Sequence, residues 1–393
     1  MPLLAAGSLA QKGAAPPTDP SAVRAKSALV VEEKSGKVLW ERAADAKRFP
    51  ASTTKILTAL LLLERCRPED RIVAPAEIET IEGASLHLKP GESVSARDML
   101  YAIMLRSAND GCHATAQHIG GSLPAFAELM NKRAKEIGCK NTSFRTPSGL
   151  HDPLHYTTAR DLFLMAREAM QNPEFRAAAR TRKRQIGRTM NQEDTWLISK
   201  NRFLAWDPTY EGIKTGYTNP AGHCFVGCAT RNGIRVYTVI LASDDWKVDQ
   251  KLLMDWAFKN HRRSEVASKG GVIGKIAVQG GVSDSVPVAA AQPVLYAHRL
   301  GVQPSVRFQL ESSVPVAAPV RKGQALGFAV ASDGSGWTMR VPVAASEDVA
   351  AAEPLAARSG WGFGVGACTL ALAAYAMRRR AKRMAQDLGR ARA

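Results

Sequence analysis

Ser52 and Lys55 stand three residues apart at the head of an apolar run, Ile56-Leu57-Thr58-Ala59-Leu60-Leu61-Leu62-Leu63. Residues i and i+3 share one helix face, so a helix starting near Ser52 brings the Lys55 amine within hydrogen-bond reach of the Ser52 hydroxyl. A serine hydroxyl is a weak nucleophile until a base takes its proton. The leucine-rich continuation is apolar nearly all round, which predicts a helix buried inside a large fold. A lysine at the root of such a helix is partly desolvated; desolvation disfavours the ammonium, lowers its pKa and frees a neutral amine to act as general base. Ser-x-x-Lys alone occurs by chance in many proteins, so the pair gains meaning only from its companions.

Two further patterns follow in order, Ser107-Ala108-Asn109 between two expected helices and Lys214-Thr215-Gly216 on an expected strand. Each has a plain structural reading when taken singly. Ser107 and Asn109 are residue types that cap helices, and Lys214-Thr215-Gly216 could be an exposed strand end. Cys112 and His113 beside the second pattern, with His223 and Cys224 after the third, match no structural zinc spacing, so neither a metal nor a cofactor is expected. Together, three short patterns in this order and at domain-scale spacing are far more specific than any one of them.

The elements that must position these groups can be read locally. Ala28-Leu29-Val30-Val31-Glu32 alternates poorly and predicts a buried strand; Ser35-Gly36 turns it into Lys37-Val38-Leu39-Trp40, giving a hairpin. Ser95 with Asp98 three residues on is a helix-start signature for a second apolar helix, Met99 to Leu105. Further helices are expected up to Gly120-Gly121, over Leu123 to Ile137, and from Thr158 through Ala169. From Glu211 strands return, with Asn232-Gly233 the clearest hairpin signal in the chain. Val248 to Phe258 forms a closing amphipathic helix. This order predicts an α+β fold, an antiparallel sheet with helices segregated around it. Residues 265–355, rich in Val, Ala, Gly and Pro, read as a small all-β domain.

Composition is that of a globular protein, but the net charge of +17 is uneven. The stretch 378–393 holds seven Lys or Arg and one Asp, so it carries +6 and leaves +11 for the rest. A basic body suits an anionic membrane or a polyanionic wall; with few aromatics and no nucleic-acid motif, nucleic acid is not expected as a partner. Residues 1–24 read as a signal remnant and Pro/Ala linker. Residues 360–377 contain no charge and reach the lower edge of the spanning range. The cluster Arg378-Arg379-Arg380-Ala381-Lys382-Arg383 follows at once, which by the positive-inside rule predicts a single-pass cell-membrane anchor with a basic cytoplasmic tail and the remainder extracytoplasmic. Cys224 and Cys228, four apart on one strand, lie about 13 Å apart by strand rise and cannot bridge.

Ser-x-x-Lys, Ser-x-Asn and Lys-Thr-Gly in this order resemble the low-molecular-mass penicillin-binding proteins of the serine-type D-alanyl-D-alanine carboxypeptidase family. Ser35-Gly36-Lys37-Val38-Leu39, Ser85-Leu86, Lys89-Pro90-Gly91, Ser148-Gly149-Leu150 and Gly212-Ile213-Lys214-Thr215-Gly216-Tyr217-Thr218 are similar to that family at matching places. The resemblance implies a β-lactamase/penicillin-binding-protein-like catalytic domain over 25–262, followed by the β domain as a stalk, after which the expected transmembrane helix follows. It implies that Ser52 attacks the penultimate D-alanine carbonyl of a peptidoglycan stem peptide, with Lys55 as base. Ser107, Asn109 and Lys214 then assist proton transfer and positioning, while Thr215, Gly216 and Tyr217 bind substrate; β-lactams would acylate Ser52.

One departure stands out. Where such carboxypeptidases often place an arginine for the terminal carboxylate, this chain has Asp244-Asp245-Trp246-Lys247, and a lysine lacks the bidentate fork of an arginine. A class A β-lactamase would need a Glu-x-x-Leu-Asn string, which does not occur. A D,D-endopeptidase or transpeptidase acting on cross-linked stem peptides would share every motif. A non-catalytic wall-binding protein would have lost a motif residue, and none is lost.

Overall fold

Covered on both faces, the N-terminal strand is the spine of the N-terminal region. The structure, a computed structural model, describes residues 19–311 and 315–353. The leader up to residue 18, the apolar stretch 360–377 and the basic tail lie outside the described residues. In chain order the first elements are β1 (Ser27–Glu32), β2 (Val38–Arg42), α1 (Lys55–Arg65), β3 (Arg71–Val73), β4 (Ser93–Ser95), α2 (Ala96–Tyr101), α3 (Asn109–Gly120), α4 (Leu123–Ile137), α5 (Ala159–Ala169) and α6 (Pro173–Arg180). They are followed by β5 (Lys183–Gln185), β6 (Trp196–Ile198), α7 (Phe203–Trp206), β7 (Tyr210–Thr218), β8 (Gly222–Arg231), β9 (Ile234–Ser243) and α8 (Trp246–Asn260).

The main sheet is antiparallel, in the order β2-β1-β9-β8-β7. All six residues of β1 are buried, because alternate side chains point to opposite faces and each face has a cover. Leu29 and Val31 join the core built with α1 and α5, while Ala28 and Val30 join a second core with Trp246, Leu253 and Trp256 of α8. Residues Lys55 to Leu62 of α1 are all buried, and each leucine fully withdrawn from water contributes roughly 2 kcal/mol. Because β7 lies at the sheet's edge, one side of its backbone is free of strand partners.

The expected strands, the Asn-Gly hairpin between β8 and β9, α4 and α5 are present. Thr158 caps α5 through Asp161 N, and Gly138 ends α4 in the left-handed conformation. Two boundaries differ from the sequence expectation. Ser52 lies in a 3-10 turn, Ala51–Thr54, and the α-helix begins only at Lys55. The second apolar helix is split: α2 ends at Tyr101 and a π-helical turn, Ala102–Arg106, follows. π turns occur chiefly where a side chain must be displaced from the regular helical path; here the displaced residue is Ser107.

Beyond α8 the described residues are all strand and loop, as expected: β10 (His261–Ala267), β11 (Val272–Gln279), β12 (Ser285–Ala290), β13 (Val294–Arg299), β14 (Arg307–Leu310), β15 (Val316–Ala317), β16 (Ala325–Ser332) and β17 (Thr338–Ala345). β10 pairs with β13, and the remaining six form a sheet in the order β14-β16-β17-β12-β11-β15. By compactness the chain divides into two units, one built from residues up to 271 with 290–309 and 328–342, the other from 272–289, 310–327 and residues from 343. Among the described residues no helix is long and apolar enough to cross a membrane.

Candidate active site

The 3-10 turn and the first residue of α1 place Ser52 and Lys55 on one side of the same coil, as their spacing predicts. Lys55 Nζ lies 2.8 Å from Ser52 Oγ, 2.8 Å from Asn109 Oδ1 and 2.6 Å from the backbone oxygen of Ser148. Lys55 is fully buried. Asn109 Oδ1 and Ser148 O can only accept, so they take two N–H bonds from the amine. A neutral amine has two N–H groups and one lone pair, and the remaining direction faces the Ser52 hydroxyl. Whenever Lys55 is uncharged, the arrangement can accept a proton from the Ser52 hydroxyl. Burial pulls the Lys55 ammonium down to about 8; Cys112 pulls upward against it, the positive charge of Lys200 adds a downward pull, and Asp110 a weaker upward one.

Ser107 and Lys214 form the second pair. Lys214, on β7, donates to Ser107 Oγ at 3.0 Å and to the Thr215 carbonyl at 3.1 Å. Ser107 takes a left-handed backbone at φ 65°, directly after the π turn. A non-glycine residue there costs about 1 kcal/mol or more, and the geometry aims the hydroxyl at Lys214. The helix-cap reading of Ser107 and Asn109 is therefore not what the fold uses: α3 starts after Ala108 with no side-chain cap. Lys214 is also buried, and burial, then the nearby charges of Lys55 and Lys200, hold it well below the usual lysine range. A charge on Lys55 thus disfavours a second charge on Lys214.

Supporting contacts fix the walls. Asn109 Nδ2 donates to Glu82 O at 2.7 Å, and Asn109 N to Ala84 O at 2.6 Å. The buried Asp110 carboxylate accepts from Ser85 Oγ and from the Leu86, Leu88 and Gly111 N–H groups, all at 2.7–3.0 Å. Glu92 and Arg188, with no side-chain exposure, form a two-point ion pair at 2.7 and 2.8 Å, and Arg188 also donates to the Leu86 and His87 carbonyls. Gly216 lets β7 pack closely on the Ser52 turn, where a Cβ would stand 3.0 Å from Ser52 N and 3.1 Å from Pro50 O. Gly149, at φ 81°, is tighter still, since a Cβ would stand 1.9 Å from Ala51 O.

Ser52, Ser107, Asn109, Thr215, Gly216 and Tyr217 line one cleft of about 410 Å3, and Lys55 and Lys214 lie beneath it. Trp246 reaches the cleft wall, whereas Lys247 is exposed on the first turn of α8. Lys200, in the segment after β6, also lines the cleft, a role that no motif around it signals. Ser148 contributes a backbone carbonyl, and its only sequence signal is the string Ser148-Gly149-Leu150. Cys112 is a buried core residue whose thiol burial pushes up to about 11. Cys66, Cys112, Cys139, Cys224 and Cys228 are all free thiols, and among the described residues no group of His, Cys, Asp and Glu could hold a metal.

Residues 11–245 match the family described as D-alanyl-D-alanine carboxypeptidase, and residues 262–351 match the penicillin-binding protein 5 C-terminal domain. The chain is 30% identical over 341 residues to the D-alanyl-D-alanine carboxypeptidase DacF of Bacillus subtilis, covering 84% of this chain and 87% of that protein. It is 34% identical over 223 residues to a D-alanyl-D-alanine endopeptidase of Pseudomonas aeruginosa, covering 55% of this chain and 70% of that one. The crystal structure of penicillin binding protein 5 from Haemophilus influenzae superposes with a TM-score of 0.70 at 27% identity, covering 86% of this chain and all of that one.

Proposed function

Because the chain belongs to the D-alanyl-D-alanine carboxypeptidase family and is a serine-type peptidase, we propose that it trims the terminal D-alanine from peptidoglycan stem peptides through an acyl-enzyme on Ser52. The observation that carries the mechanism is the bond count at Lys55: two fixed acceptors and a lone pair left for the Ser52 proton. Ser52 Oγ attacks the penultimate carbonyl as Lys55 takes its proton. The free edge of β7 receives the peptide as an added strand, and the Ser52 and Tyr217 N–H groups stabilise the developing oxyanion. Lys214 holds the Ser107 hydroxyl, through which a proton passes to the leaving amine as the C–N bond breaks. Thr215 offers its hydroxyl to the terminal carboxylate. That carboxylate, arriving beside Lys214, favours the ammonium there and so leaves Lys55 neutral. Water then cleaves the acyl-enzyme and frees the shortened peptide.

On this reading β-lactams acylate Ser52 as substrate mimics. Incubation with a peptide ending in D-Ala-D-Ala should release D-alanine, and a labelled β-lactam should map to the Ser52 peptide; label elsewhere, or undiminished label on Ser52→Ala, would sink the mechanism. The sequence also supports a single-pass membrane location, with 360–377 as the span and the catalytic domain extracytoplasmic. Truncation before Gly360 should release soluble, active enzyme, and ready labelling of a cysteine introduced after Met377 from outside intact cells would reverse the orientation.

A further inference from the structure

A second cleft, about 970 Å3 in volume, is lined by Arg180, Arg182, Lys183, Lys200, Asn201 and Arg202 and by no acidic residue. Among the described residues none of its five cations forms a salt bridge. Several other arginines of the same unit are matched with carboxylates, as Arg133, Arg160, Arg188, Arg231 and Arg235 are. The cleft is held together by backbone bonds: Ser199 N donates to Arg182 O at 2.9 Å and Lys200 N to Leu105 O at 3.2 Å. Asn201 supplies an independent observation. It is only 6% exposed, and its Oδ1 accepts the Phe203 N–H at 3.1 Å, which fixes the orientation of the amide. Its Nδ2 is then a buried donor in the cleft wall with no partner among the described residues. A buried donor of this kind is costly unless an acceptor fills it, and five cations without a salt bridge, of which Arg180 feels the Glu211 carboxylate at longer range, select an anionic acceptor.

Lys200 lines this cleft and the catalytic cleft alike, and its backbone bond to Leu105 sets it two residues from Ser107. We propose that the basic cleft is an oxyanion-binding site that extends the catalytic cleft on the leaving-group side and takes carboxylates of an acceptor peptide joined through the scissile bond. The inference rests on the carboxypeptidase reading, in which Ser107 and Lys214 face the departing amine. The reaction is unchanged in kind: Ser52 Oγ forms the ester, the D-alanyl C–N bond breaks, the acceptor amine leaves with its proton, and water hydrolyses the ester. Only the leaving group differs, being an acidic peptide in place of D-alanine. The substrate class is therefore a cross-linked stem peptide whose acceptor carries free carboxylates.

The test compares three substrates sharing one donor: a D-Ala-D-Ala terminus, a D-alanyl cross-link to an acceptor tripeptide with free carboxylates, and that cross-link with the carboxylates amidated. The double variant Arg182→Gln/Arg202→Gln should lower kcat/KM on the free-carboxylate cross-link about tenfold, with D-alanine release and the amidated cross-link held within about twofold. Arg182→Lys/Arg202→Lys should keep most of the activity, and added salt should erase the preference. Equal loss on all three substrates, or no loss on the free-carboxylate one, overturns the proposal. Calorimetric binding of the free acceptor tripeptide separates the two readings. Binding weakened by the glutamine variant and by amidation supports the anion site even if no D-alanine is released, whereas equal binding to wild type and variant removes it.

Discussion

His155 Nε2 lies 2.9 Å from Thr54 Oγ1, in the turn between Ser52 and Lys55. Its Nδ1 accepts the backbone N–H groups of Arg145 and Thr146, at 3.0 and 3.2 Å. A backbone N–H can only donate, so Nδ1 is unprotonated, Nε2 carries the proton, and Nε2 donates to Thr54. The ring thereby joins the loop containing Ser148 to the turn containing Ser52. It is a positioning residue: it touches no reacting atom, but it ties the carbonyl that holds Lys55 to the turn that carries Ser52.

Burial pushes the His155 pKa down to about 4. In the unfolded chain the ring titrates near the usual 6.5. As pH falls from about 6.5 to about 4 the unfolded state takes up a proton that the folded state refuses. The associated stability is fully present above 6.5 and is lost progressively down to about 4, by about 3 kcal/mol at most. His155→Gln, which cannot titrate, should unfold in urea with a shallower loss between pH 6.5 and pH 4.5 than wild type. Parallel losses in the two proteins would show that His155 is not the group responsible.

With Lys55 brought down to about 8, its neutral fraction grows as pH rises through 7 to 9, so β-lactam acylation should rise over that window. Lys55→Arg cannot supply a neutral base and should lose about a thousandfold in acylation. In the proposed mechanism Lys214 carries the charge, and a charge there disfavours a second one on Lys55, so Lys214→Gln should move the rising limb to higher pH as well as lowering the rate. A limb that stays in place would mean that the charge does not reside on Lys214.

Gly149→Ala sets a Cβ against Ala51 O in a backbone region that disfavours side chains. It should cost about 3 kcal/mol or more, seen as a fall in melting temperature. Gly216→Ala meets Ser52 N and Pro50 O at 3.0 and 3.1 Å, close enough to displace the nucleophile by a few tenths of an ångström. Stability should fall by only about 1 kcal/mol, while acylation falls about tenfold or more, because small errors in placement are costly to rate. If acylation tracked stability alone in both variants, the contact of Gly216 with the Ser52 turn would not matter to the chemistry.

Groups that act through side chains at motif spacing are legible in the amino-acid sequence. Ser52, Lys55, Ser107, Asn109 and Lys214 meet because helix periodicity and strand edges put them there, and Asn232-Gly233 marks the hairpin of β8 and β9. What sequence hides acts through the backbone or through tertiary proximity. The Ser148 carbonyl has no residue-type signature, the left-handed turn at Ser107 depends on a π turn that propensity does not encode, and α6 with the three-residue strands β5 and β6 is too short to show a period. His155 reads as a loop residue because its partners, Thr54 and the Arg145 and Thr146 N–H groups, are brought to it by the fold.

Lys200 and Lys247 separate two accounts of how the missing arginine is replaced. Sequence offers Lys247, next to Trp246, as a substitute charge; the structure leaves Lys247 exposed and lines the cleft with Trp246 and Lys200. The Lys200 charge also depresses both buried lysines. Lys200→Gln should therefore have two effects: a roughly two- to fivefold rise in KM for a D-Ala-D-Ala peptide, as an attractive charge is lost, and a shift of the acylation limb to higher pH, as Lys55 becomes easier to protonate. Lys247→Gln should show neither. Raising ionic strength should reduce the KM difference between wild type and Lys200→Gln, since an exposed charge is screened within about 10 Å at 0.1 M salt. If Lys247→Gln raised KM while Lys200→Gln did not, the carboxylate would be held from the α8 side, and Lys200 would belong to the basic cleft alone.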